Sequence, residues 1–433
     1  MNKEILKLAI PNILTNLSVP LVSLVDLALM GRMPSSNYIV AIGFGTVIFN
    51  LIYWAFGFLR MGTTGMVSQA FGKGDQERSY QLLVKGFVVS LLAGLLLILS
   101  QYPIKEIAIS LINPEVTVIA PLVTYFDIRI WAAPATISIY VISGWLLGMQ
   151  DAKSAMVLAI TVNLLNAILS YYFVYSSHLS IKGVALGTIL AQYIGLIIGL
   201  FILIKKYRFH QLNLKLKELL KASDWREFIF VNGHIFIRTL CLIFVMSFFK
   251  TKAGNIDPIV GAANILLIEF ITLSAYGIDG FAFAAESLCG KYFGLHKRDL
   301  FIKSVKTSFS WGIGISIIIA IVFLSQGKAI LQLLTDKEFI IDAALPYLPW
   351  LALAPLINGI AFIWDGIYIG TTAVKAMRDT LILSTILVFL PSYFLFKDIF
   401  GNHGIWLSIT LFMLSRGLIQ TFLAQKVIFN RID

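Results

Sequence analysis

Apolar residues along this chain gather into blocks of roughly twenty, the length at which an α-helix spans the hydrocarbon core of a bilayer. Twelve blocks can be counted, at about 8–31, 38–60, 84–102, 118–148, 155–176, 183–204, 226–249, 259–286, 304–325, 340–370, 379–396 and 403–425. Ten-residue stretches alternating with period two, the mark of an outer-membrane barrel, are absent. The pattern therefore predicts an all-α membrane protein with twelve transmembrane helices, since helices and closed barrels alone satisfy the backbone in lipid.

Polar positions inside these blocks fall on stripes. In the first, Asn12, Asn16, Ser23 and Asp26 lie within roughly 80° of one another at 100° per residue. The fifth carries Asn163, Asn166 and Ser170 on one face, the eighth Glu269, Thr272, Tyr276 and Asp279, and the tenth Asn358, Phe362 and Asp365. Such faces are expected to line a shared wet cleft, the alternative being helix-to-helix bonds worth about 0.6 kcal/mol each. Asp26 stands apart. Between Leu6 and Met30 it is the only formal charge besides Lys7. A carboxylate at membrane depth costs at least about 2.5 kcal/mol, so it marks an ion, proton or substrate site. Arg238 and Glu269 are expected to neutralise each other across neighbouring helices. Asp279 and Asp365, each before a glycine near a span end, are read as helix-end groups, as are Asp127 and Arg129.

The chain repeats at a spacing of about 222 residues. Gly148–Lys153 (GMQDAK) aligns with Gly370–Lys375 (GTTAVK), Gly144 with Gly366, Tyr125 with Tyr347, and Ala70–Gly72 with Tyr292–Gly294. At nearly the same shift, Lys182–Leu186 matches His403–Leu407. The expected organisation is two pseudo-symmetric six-helix lobes around a central cleft: 1–204, a basic linker 205–225, and 226–433. Even numbers of spans per copy make these parallel repeats, an arrangement used by alternating-access transporters.

A net charge of +11 could suggest nucleic acid, but the placement of the 34 Lys and Arg argues against it. With the N-terminus cytoplasmic, 23 fall on the cytoplasmic side, eight opposite, and Arg129, Arg238 and Arg416 inside spans. That is the positive-inside pattern, and it predicts both termini in the cytoplasm. Cys241 and Cys289 lie in or beside spans, where a structural disulfide is not expected. No phosphate-binding G-x-x-x-x-G-K-[ST] loop, HExxH helix or GxSxG elbow occurs, and the five His are scattered. Neither an enzyme nor a nucleotide-driven pump is indicated, no cofactor or metal site is expected, and a secondary transporter remains.

Several segments resemble motifs of the DinF-like branch of the multidrug and toxic compound extrusion (MATE) transporters: PNILTNLSVPLVSLVDLALMGR, GFLRMGTTGMVSQAFGKGD, GWLLGMQDAK, YGIDGFAFAAESLCGK and DGIYIGTTAVKAMRDT. The resemblance implies export of small amphipathic organic compounds across the cytoplasmic (inner) membrane, by a monomer, against inward proton or sodium flow. It implies a coupling group at Asp26 with Tyr125, Asn166, Ser170 and Thr188 around it. Asn16, Ser23, Asn163, Arg238, Glu269, Tyr276 and Asn358 are then candidates for the substrate cleft. The family usually has an acid where this chain has Ser170, often Glu at Gln192, and in its other major branch an acid at Asn358. Sodium prefers several oxygen ligands including carboxylate, so these departures favour a proton over sodium. A flippase for lipids or lipid-linked oligosaccharides of similar fold is the alternative; its cavity would be richly cationic, whereas the spans here carry few Arg and no Lys stripe. A passive channel would predict neither the duplication nor a single embedded acid.

Overall fold

The computed structural model describes residues 1–31, 36–208 and 221–432, and within the first helix leaves out the side chains of Val22, Ser23, Asp26, Leu27 and Met30. Most of the predicted linker 205–225 is outside the described residues. No strand occurs among those described. The helices are α1 (Asn2–Met30), α2 (Ser36–Phe56), α3 (Phe58–Lys73), α4 (Gln76–Leu99), α5 (Gln101–Ile112), α6 (Val116–Arg129), α7 (Ala133–Gly148), α8 (Ala152–Tyr171), α9 (Ser180–Tyr207), α10 (Ala222–Gly254), α11 (Pro258–Gly294), α12 (Arg298–Gln332), α13 (Glu338–Ala344), α14 (Leu348–Gly370), α15 (Val374–Leu383), α16 (Leu390–Phe400) and α17 (Asn402–Val427).

Among the described residues, eleven stretches are long and apolar enough to cross a bilayer. They coincide in order with predicted segments two to twelve. The first segment is α1, whose 29 residues extend about 43 Å at the α-helical rise. It runs on as helix through Pro11 and Pro20. Aspartates begin several helices: Asp75 accepts from Arg78 N at 2.9 Å, and Asp257 from Ile259 N and Val260 N at 2.8 and 2.9 Å. Each satisfies amide donors that the first turn leaves open. Two spans carry irregular turns, a π-turn at Tyr172–Ser176 and another at Ser384–Phe389.

The chain forms two compact units. One comprises Leu14–Val67 and Asp75–Asn232; the other comprises Met1–Ile13, Ser68–Gly74 and Gly233–Asp433. Thus α1, α3 and α10 each contribute to both. In the first unit the core centres on Trp145, fully buried, with its indole donating to Ser79 O at 2.9 Å. In the second, Asn264 is fully buried and spends its amide on Ala253 O and Asn402 Oδ1 while accepting from Trp406 at 2.9 Å.

The duplication seen in the sequence is written into local geometry. At the end of α7, Met149, Gln150 and Asp151 donate to Trp145 O, Leu147 O and Leu146 O at 2.9, 3.0 and 2.8 Å. At the end of α14, Thr371, Thr372 and Ala373 donate to Ile367 O, Ile369 O and Tyr368 O at the same three distances. Both are Schellman ends, which place their C′ residue in the left-handed region. That residue is Gln150 (φ 63) in one copy and Thr372 (φ 52) in the other.

The paired glycines have paired reasons. A Cβ on Gly144 would fall 3.0 Å from Arg60 Cα, and one on Gly366 would fall 3.0 Å from the carbonyl carbon of Ala282, the position equivalent to Arg60. In the second unit, a Cβ on Gly72 would meet the backbone of Lys291, while one on Gly294 would lie 2.8 Å from Gln69 Cα. Positions 69 and 291 are themselves equivalent, so the ends of α3 and α11 cross reciprocally. Close helix approach of this kind requires small residues.

Candidate functional site

Polar groups in the first unit gather along α1, α8 and α9. Asn163 donates to Ser18 Oγ at 2.7 Å, and Tyr175 OH to Leu29 O at 3.4 Å. These bonds join residues 145 and 146 positions apart, so α1 and the α8 segment run side by side in constant register. The backbone of Asp26 therefore lies at the level of Ser170 and Tyr171. Its side chain, and that of Ser23, are outside the described residues. One helical turn below that level, Asn166 Nδ2 donates to Thr188 Oγ1 at 2.9 Å, and Thr188 donates on to Val184 O at 3.0 Å. Asn166 Oδ1 and Ser170 Oγ are buried with no hydrogen-bond partner among the described residues. The crossing is tight: a Cβ on Gly187 would come 2.7 Å from Ser170 Oγ. Three sequence candidates, Asn166, Ser170 and Thr188, are thus brought together, with Asn163 a turn away.

Tyr125 is fully buried on α6. Its ring occupies space that Gly45 leaves open, where a Cβ would fall 2.5 Å from Tyr125 Cε1. Its hydroxyl accepts from the Arg129 guanidinium, which lies 5.0 Å over Phe49 and 5.3 Å from the Tyr125 ring. Arg129 ends α6 as expected, and its guanidinium also lies against two aromatic rings, which welcome a cation on their faces. Asp127 does keep the expected place, receiving Lys105 Nζ at 2.7 Å.

A different chemistry occupies the second unit. Asp365 on α14, about 5% exposed, accepts from Arg238 of α10 and Arg416 of α17 through Oδ2. Through Oδ1 it accepts from Gln420 at 2.8 Å. Arg416 is wholly buried and Arg238 nearly so. This overturns the expected Arg238–Glu269 pair. Glu269 is exposed and lies 3.7 Å from Lys250 instead, and Asp365 is an ionic hub, not a helix-end group. In the low-dielectric interior a guanidinium takes the carboxylate that can reach it with good geometry. Arg416 and Gln420, one turn apart on α17, were not among the candidate site residues, although Arg416 was placed inside a span. The signal available was that three in-span arginines each need an anion or an aromatic face. Asn358 is buried on the same helix as Asp365, Tyr276 is half-buried on α11, and Asn16 half-buried on α1.

The structure therefore defines a duplicated, many-helix membrane protein with polar side chains held inside its spans. The MatE family model matches residues 11–172 and again 235–394, two stretches offset by the repeat spacing, and the chain belongs to that family. It is a multi-pass membrane transporter, not an enzyme. It is 29% identical to the DNA damage-inducible protein F of Escherichia coli, over 96% of this chain and 90% of that protein. With the human multidrug and toxin extrusion protein 1 it shares 24% identity, over 94% of this chain and 72% of the relative. A solved MOP superfamily transporter from Pyrococcus furiosus has the same fold, with a TM-score of 0.89 at 17% identity, covering all of this chain and 96% of that one.

Proposed function

We propose that this protein is a proton-coupled exporter of small amphipathic organic compounds in the cytoplasmic membrane. It works by alternating access between the repeats 1–204 and 226–433, both termini being cytoplasmic. Asp26 is the group that takes and releases the proton. The supporting observation is the pair of buried acceptors, Asn166 Oδ1 and Ser170 Oγ, unpartnered among the described residues beside the level of Asp26.

A carboxylic acid can donate a hydrogen bond and a carboxylate cannot. Protonation of Asp26 would supply the donor that Asn166 Oδ1 lacks, and loss of the proton would withdraw it. Each protonation state then favours a different arrangement of α1 against α8. A substrate or proton shifts such an equilibrium only through unequal affinity for the two states. Asn166, Ser170 and Thr188 offer only neutral oxygens, a donor set poorer in charge than a sodium site prefers.

The test is transport in proteoliposomes with pH and sodium gradients imposed separately. Wild-type export should follow the pH gradient and ignore sodium, and Asp26→Asn should abolish it. Full proton-driven export by Asp26→Asn would refute the assignment.

A further inference from the structure

A groove of about 450 Å³ opens on the second unit where α12 passes α11 and the start of α1. Its walls are apolar. Phe281 and Trp311 stack with centroids 6.0 Å apart and planes 4° from parallel, and Ile315 and Ile318 continue the wall along α12. Gly314 forms its floor, and a Cβ placed there would meet nothing within 4 Å. The polar end is set by Asn2, whose Oδ1 accepts from Trp311 Nε1 at 3.2 Å.

Exposed lysines outnumber the acids, Glu4 and Asp299, about that polar end. Lys306 and Lys303 are exposed on α12, one and two turns before Ser310 on its face. Side chains on a helix lean toward its N-terminus, so both ammonium groups lean away from the apolar wall and toward the start of α12. Lys3, exposed, follows Asn2 on α1. None of the three is in an ion pair among the described residues. The nearby acid Glu4 is already engaged, by the N-terminal amine at 3.2 Å, by Tyr292 at 2.9 Å and by Lys291 at 3.8 Å. An apolar trough capped by an excess of cations is complementary to a molecule with a hydrocarbon tail and an anionic head.

We propose that this groove is a binding site for one anionic glycerophospholipid. An acyl chain lies along Phe281, Trp311, Ile315 and Ile318, and the phosphate sits among Lys3, Lys303 and Lys306. Basic pockets between membrane helices bind acidic lipid headgroups through this combination. The site is lipid-facing and separate from the polar groups of α1, α8 and α9.

The experiment is native mass spectrometry of the full chain in detergent, titrated with dioleoylphosphatidylglycerol or dioleoylphosphatidylcholine. Phosphatidylglycerol should form a one-to-one adduct that phosphatidylcholine does not match. Lys303→Gln and Lys306→Gln should each weaken it about five-fold, leaving phosphatidylcholine binding unchanged. Gly314→Leu, which the open floor accommodates, should fill the trough and remove the adduct while the protein elutes as wild type. Equal binding of the two lipids, or a phosphatidylglycerol adduct indifferent to all three substitutions, would overturn the proposal. So would displacement of the lipid by millimolar inorganic phosphate, which would mark an ion site, or a dimer that Gly314→Leu disrupts, which would mark a protein interface.

Discussion

Two buried polar clusters, one in each unit, meet the problem of polarity in lipid in opposite ways. Where α8 meets α9 in the first unit, the buried polar groups are neutral, bonded in a short chain from Asn166 to Thr188 to Val184, with Asn166 Oδ1 and Ser170 Oγ unpartnered among the described residues. In the unit containing α14, a carboxylate is clamped by two guanidinium groups and an amide. Charge-assisted bonds in an interior are strong and directional, and they hold one geometry. Neutral bonds with spare acceptors can be exchanged at small cost. The ionic hub therefore fixes one geometry, and the neutral cluster is where the proposed protonation would change the bonding.

That contrast can be broken first at its rigid end. Asp365→Ala leaves Arg238 and Arg416 buried without their anion, so the loss should reach about 3–5 kcal/mol. It is to be read as a lowered Tm of purified protein in detergent. If Asp365→Ala kept its Tm yet stopped transport, the hub would be part of the machinery and the comparison would fail. Asn166→Ala should cost only about 0.6–1.7 kcal/mol, the range for a bond between membrane helices. Its export should nonetheless fall well below that of the wild type in the same liposome assay.

A smaller effect is expected between α7 and α8, outside the spans. Asp151 caps α8 and receives Lys206 Nζ at 2.6 Å and Tyr207 OH at 2.7 Å. Burial pushes its acidity toward the neutral form, but the bonds from Lys206, Ser154 and Tyr207 outweigh it and hold the carboxyl below its usual range. A carboxyl whose pKa is depressed in the folded state stabilises the fold above the ordinary aspartate pKa. That contribution disappears as pH falls through the folded value. Asp151→Asn should therefore lower the Tm at pH 7 by an amount worth up to about 1 kcal/mol, and the difference should vanish in strong acid. Smallest of all, Glu269→Gln removes an exposed pair with Lys250 and should change stability by less than about 0.5 kcal/mol. A larger loss there would mean that Glu269 has a buried partner.

Much of this architecture was legible before any coordinates. Spans are read by length and apolarity, and segments two to twelve fall where the pattern puts them. The repeat was legible because Gly144, Gly366, Gly72 and Gly294 answer to backbone contacts that allow no side chain. What periodicity conveys is which face of a helix is polar, never which other helix meets that face. Arg238 could be assigned a face but not its partner Asp365, because the pairing joins residues 127 positions apart. The stretch Phe58–Lys73 was likewise invisible as helix, being too rich in Gly, Thr and Ser to read as a span. Periodicity put Asn166 and Ser170 on one face, and the resemblance grouped them with Thr188, whose side chain Asn166 reaches; the partner of Tyr125, Arg129, was not anticipated.

The crossing of α3 with α11 carries an evolutionary consequence. Where Gly72 faces residue 291 and Gly294 faces residue 69, each copy of the ancestral unit supplies both the intruder and the surface intruded upon. A methyl group gained in one half is paid for by the backbone of the other, so these four positions must drift together or stay still. Elsewhere the halves were free to part, one placing amides and hydroxyls at its α8–α9 crossing, the other an ionic hub on α14. At this seam the descendants of a single gene still have to fit each other.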